Sequence, residues 1–155
     1  MVVPFRISTL VIAILVSASA CQTGGGRLSR APAPQWHAKI YVGGPETGSD
    51  FYVANATTSR LTAMRVRSTV TVRGVFPQGE FPWYLHVGRC EEGSAGPIIG
   101  NPDDYQPLLP GPDGVHTATA NLRIRLDDTK DHFVTVHRSA DAMTTILACG
   151  QLQRG

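Results

Sequence analysis

Apolar residues alternate with polar ones along two stretches of this chain. From Met64 to Val75, Val66, Val70 and Val72 fall on one face, while Arg65, Arg67, Thr69, Thr71 and Arg73 fall on the other. From Thr117 to Leu126 the pattern repeats. Ala118, Ala120, Leu122, Ile124 and Leu126 point one way, and Thr117, Thr119, Asn121, Arg123 and Arg125 the other. A period of two belongs to β-strands with one buried and one solvated face, as in antiparallel sheets. The arginines read as the solvated face. Shorter strands are predicted over Trp36–Val42, Asp50–Ala54, Trp83–Val87, His132–His137 and Thr144–Cys149. Turn residues punctuate them, at Gly43–Gly48, at Phe76–Gly79 and at Pro112-Asp-Gly114. Short strands with this punctuation and no amphipathic helix predict an all-β sandwich or closed barrel. Glu91 to Gly111 has no regular pattern. A loop of that length is uncommon and is usually functional or specially tied down.

The first twenty residues read as a secretory signal. Arg6 precedes an almost wholly apolar Ile7–Val16, and Ala18-Ser-Ala20 stands directly before Cys21. The apolar run is too short to span a bilayer. Ala-x-Ala suits ordinary signal peptidase. The same small residues before a cysteine resemble the bacterial lipobox, although Ala18 stands where leucine is usual. Residues 21–34 then form a tether: lipidated Cys21, followed by glycines that are flexible and prolines that are extended. Residues 35–152 are one domain's worth of chain, enough for a substantial core, and 153–155 are a tail. The expected location is a bacterial cell envelope, with the protein lipid-anchored to the membrane and facing the periplasm or exterior. Gln22 after the lipidated residue leans toward the outer membrane. A net charge of +2 over 155 residues argues against a nucleic-acid partner, which needs a concentrated basic face.

The chain has three cysteines, so one is left over if two pair, and acylation would account for Cys21. Cys90 and Cys149 each follow shortly after a histidine on a strand-like stretch, His86 and His137. They read as a bridge, as buried free thiols or as metal ligands. The absence of Cys-x-x-Cys spacing makes them poor zinc candidates. A bridge would close a loop of about 60 residues, worth roughly 4 kcal/mol in the chain-entropy treatment, and export makes it chemically reasonable. His132 is separated from His137 by an odd number and faces away from it, and His37 and His116 stand apart. Met143 reads as core filling, or as a soft sulfur if copper(I) were bound. Ser94 lacks a nucleophile-elbow setting. Asp103-Asp104 beside Pro102 reads as an exposed turn, and Trp83 and Tyr105 as aromatic core.

These residues together resemble the copper–zinc superoxide dismutase family. Tyr84-Leu-His86 occupies the place of a His-x-His strand, Cys90 that of the loop cysteine, and Ser94-Ala-Gly-Pro97 the stretch after it. Val134-Thr-Val-His137 matches a later Val-Val-His strand, and Ala148-Cys-Gly150 the closing segment. The resemblance implies a Greek-key antiparallel β-sandwich or flattened barrel, a Cys90–Cys149 disulfide, and copper at His86 and His137. Its departures are as informative. Tyr84 replaces the first histidine of the pair, Ile98 stands where a bridging histidine is expected, and Ile146 where an arginine is expected. The zinc histidines have no counterpart, since Asn101-Pro-Asp-Asp-Tyr105 offers only carboxylates. Copper that cycles between oxidation states is normally held by three or four imidazoles. Two readings follow. The preferred one is a non-catalytic envelope lipoprotein whose superoxide-dismutase-like domain is a binding or structural module. The alternative is a copper-binding or weakly dismutating protein that uses His86 and His137.

Overall fold

A computed structural model describes residues 33–42, 52–73, 79–91, 96–109 and 114–155 of the chain. The predicted signal, Cys21, the tether before residue 33 and Ser94 lie outside these residues. The described part is all β and antiparallel, with strands β1 (Gln35–Val42), β2 (Tyr52–Thr62), β3 (Arg65–Arg73), β4 (Trp83–Val87), β5 (Val115–Leu122), β6 (His132–His137), β7 (Ile146–Gln151) and β8 (Gln153–Arg154). They form one curled sheet in the order β4-β6-β7-β1-β2-β3-β5, with β8 also on β1.

The alternation read from the sequence sets the inside of the curl. Val66, Val70 and Val72 of β3 and Ala118, Ala120 and Leu122 of β5 are buried. They join Ile40, Trp83, Leu85, Val134 and Val136 in one hydrophobic cluster. Thr58 and Ser68 are buried among these residues and bond to each other through their hydroxyls at 2.9 Å, which removes most of the cost of burying them. One end of the curl is closed by Arg60. Its guanidinium forks onto both carboxylate oxygens of Asp128, donates to the Leu126 carbonyl at 2.9 Å, and lies 5.4 Å from the Trp36 ring centroid.

Three strands differ from expectation. β5 spans Val115–Leu122 and stops short of the predicted Leu126, and β7 spans Ile146–Gln151 where Thr144–Cys149 is predicted. β2 runs on to Thr62 instead of stopping near Ala54, and pairs with β3 through a two-residue turn, Ala63-Met64. Its inward positions are Ala54, Ala56 and Thr58, which give little hydropathy contrast, and the turn contains neither glycine nor proline. The described part of the long irregular stretch, residues 96–109, is tied down, as expected of a loop of that length. Pro97 accepts from the Val87 N–H at 3.2 Å, Ile99 donates to the Leu85 carbonyl at 2.8 Å, and Phe81 and Leu108 exchange two bonds of 3.0 Å. Residues 97–99 therefore lie along the outer edge of β4 and satisfy backbone groups that would otherwise form an open edge. Trp83 and Tyr105 hold the stretch down. The indole N–H donates to the Gln106 carbonyl at 2.7 Å, the Tyr105 hydroxyl donates to the Ile99 carbonyl at 2.5 Å, and the two rings meet edge-on at 5.1 Å. Asp103 and Asp104 sit in an exposed 3-10 turn capped by Asn101, as the sequence predicts.

Cys90 and Cys149 are joined in a disulfide with Cα atoms 5.9 Å apart, inside the usual range. Next to Cys149, Gly150 passes directly against β1, and a Cβ there would collide with the Lys39 carbonyl. Both atoms in conflict are backbone-anchored and cannot move aside. Gly150→Ala should therefore lower the melting temperature by about 8 °C or more, corresponding to roughly 2 kcal/mol in a domain of this size. An unchanged melting curve would refute this close approach.

Candidate functional site

β6 is buried on both faces; all six of its residues are inaccessible. Val134 and Val136 point into the core. Phe133, Thr135 and His137 point the other way, alongside Tyr84 and His86 of β4, because Tyr84 pairs with Thr135 and His86 with Phe133. On the far side of β6, Thr135 pairs with Cys149. This second face is covered by Cys90, Cys149 and Ile146 packed on Phe133, and by Ile98 bridged to His86. Gln151 fastens the cover. Its carbonyl oxygen accepts from the Cys90 N–H at 3.1 Å, and its amide donates to the His132 carbonyl at 2.8 Å and to the Gly88 carbonyl at 3.4 Å.

Under this cover His86 and His137 come together, with ring centroids 6.4 Å apart. The Thr135 hydroxyl lies between them, 2.9 Å from His86 Nε2 and 2.8 Å from His137 Nε2. The other nitrogen of His86, Nδ1, is 2.6 Å from the Gly96 carbonyl. The proton positions follow from elementary bonding. A carbonyl only accepts, so His86 Nδ1 carries the proton and Nε2 the lone pair of a neutral ring. Thr135 then donates to His86 Nε2, and its oxygen accepts from His137 Nε2–H. The chain runs one way: His137 to Thr135 to His86 to Gly96. It leaves a lone pair on His137 Nδ1, and that buried atom has no hydrogen-bond partner among the described residues.

Both rings are held neutral. Burial lowers the pKa of His86, opposed by the Gly96 carbonyl and reinforced by His137. Burial likewise lowers that of His137, opposed by the Met143 carbonyl. Tyr84 lies edge-on to both rings, with centroids 6.3 Å from His86 and 5.6 Å from His137, and Phe133 stacks on His86 at 4.9 Å. A Cβ on Gly96 would collide with the Val87 carbonyl, so only glycine brings that carbonyl this close to β4.

Of the residues singled out in the sequence, His86, His137, Tyr84, Ile98, Cys90 and Cys149 thus share one neighbourhood. His37, His116 and His132 do not join it. His37 is exposed beside Thr57, His116 is buried against the Leu109 carbonyl, and His132 is buried on the face of β6 opposite His137. Sequence reasoning missed Thr135 and Gln151. Among the described residues, no three His, Cys, Asp or Glu side chains gather as a metal-holding group. The donors present do not fit a cycling copper centre. There are two imidazoles, both Nε2 atoms are bonded to one hydroxyl, and one Nδ1 is bonded to a carbonyl. No protein-family model matches this chain, and no curated protein matches it in sequence.

Thr135→Val keeps the shape but strands a buried donor and a buried acceptor. The expected loss is about 3 kcal/mol in urea denaturation, largely recovered in Thr135→Ser; equal stability of all three proteins would exclude the relay. Acidification tests ring neutrality. The folded pKa values of His86, His132 and His137 lie below the ordinary 6.5, so the unfolded chain takes up protons first. Stability is complete above that value and falls as pH drops through it. The urea midpoint should decline from pH 7.5 to pH 5.5; a level or rising midpoint would mean that the rings are charged in the fold.

Proposed function

We propose that this chain is an exported, lipid-anchored protein of a bacterial envelope, and that its superoxide-dismutase-like domain is a non-catalytic binding or structural module. The relay through Thr135 carries this reading. The two histidines at copper positions of the resembling family spend their facing nitrogens on one threonine hydroxyl. Tyr84 and Ile98 fill two further ligand positions with groups that supply no imidazole. The strand order supports the Greek-key part of the reading. The link from β3 to β4 crosses from one side of the sheet to the other, and the link from β5 to β6 crosses back. The disulfide and the signal-like N-terminus agree with export.

The alternative, copper handling by His86 and His137, draws on one observation, the unpartnered lone pair of His137 Nδ1 in a buried position. Copper titration under reducing and oxidising conditions separates the two. The expected result is no sub-micromolar site that depends on both histidines. Sub-micromolar binding abolished by His86→Ala with His137→Ala would replace the first reading with the second. Anchoring is tested separately: after a high-salt wash, which releases purely electrostatic docking, Cys21→Ser should move from membranes to the soluble periplasmic fraction, and unchanged retention would refute lipidation.

A further inference from the structure

We propose that the end of the body at which the chain enters β1 is a docking surface for anionic phospholipid. The β2–β3 hairpin ends there. Thr62 pairs with Arg65 across Ala63-Met64, and a register shift between Arg60 and Thr62 takes Leu61 out of the strand's alternation. Leu61 is 42% and Met64 59% exposed, so two large apolar side chains stand at a tip where polar residues are the rule. The other large apolar residues exposed among those described, Val42 and Leu109, belong to the opposite end.

Arginines surround the tip. Leu61, Arg65, Arg67, Asn121 and Arg123 line one open concavity, and Arg125 lines the next one with Arg60, Asp127 and Asp128. Arg65, Arg123 and Arg125 are exposed, and none has an acidic partner among the described residues, whose ion pairs are Arg60–Asp128, Arg89–Asp131 and Lys130–Asp127. The nearby acids have cations of their own: Asp128 holds Arg60, and Asp127 lies 3.9 Å from Lys130 Nζ. Free guanidinium forks beside an apolar tip match a phosphate headgroup layer over acyl chains. Two side chains offer far less area than the roughly 800 Å² per partner of a stable protein interface, which favours a bilayer over a protein as the occupant.

The point of chain entry agrees. The Arg60 N–H donates to the Pro34 carbonyl at 3.1 Å, so the chain reaches the body one residue away from Leu61. This deepens the lipid-anchor reading, since Pro34, through which the chain enters β1, lies at the same end as the apolar tip.

The test uses unlipidated chain from Gln22 to Gly155, which keeps the whole compact unit of residues 32–155, sedimented with vesicles. It should bind vesicles of phosphatidylglycerol and phosphatidylcholine, release with added salt, and not bind phosphatidylcholine alone. Arg65→Glu with Arg123→Glu, and separately Leu61→Ser with Met64→Ser, should each weaken binding by at least about tenfold. Arg73→Glu, at the opposite end of β3, should leave it unchanged; melting curves establish that each variant is folded. Absence of binding to the anionic vesicles, or a loss no greater than that of Arg73→Glu, overturns the proposal. Because Cys21 is missing from this protein, such a failure leaves lipidation standing, and membrane retention of Cys21→Ser would leave this surface standing.

Discussion

A six-residue strand buried on both faces must be covered twice, and the molecule is organised around doing so for β6. The curl of the sheet covers one face with its apolar interior. The other face has no second sheet among the described residues. It is covered by chain brought back from between β4 and β5, clamped by the Cys90–Cys149 bond and by the three hydrogen bonds of the Gln151 side chain. The disulfide thus does more than shorten the unfolded chain. It holds a lid of irregular backbone on a face that would otherwise be wet.

What lies beneath that lid follows from electrostatics. Two imidazoles, a hydroxyl and a carbonyl in an apolar setting are costly unless their donors and acceptors match. With both rings neutral they match in only one direction, with the surplus lone pair ending on His137 Nδ1. Stacking on Phe133 and edge contact with Tyr84 leave the rings little freedom to turn.

Much of the sheet could be read from the chain. β3 and β5 alternate cleanly, and β4 and β6 have the bounds predicted for them. The continuation of β2 was hidden because small and hydroxyl-bearing residues take its inward positions, and β8 is too short for any period to show. The convergence of His86 and His137 on one face was legible from their placement on neighbouring strands. The role of Thr135 was not. Between two valines, a threonine reads as the wetted side of an ordinary strand, and only the returning segment near Gly96, distant in sequence, makes that side dry. Gln151 was missed for the same reason, since two of its partners lie in the segment after β4 and the third is the first residue of β6.

The position of β1 has a mechanical consequence. It lies inside the sheet, bonded to β2 on one side and to β7 and β8 on the other, and residues before Gln35 lead straight into it. A pull transmitted through that leader would load the ladders on both flanks in shear rather than peeling off an outermost strand. The chain thus enters the sheet away from both of its outer strands, β4 and β5.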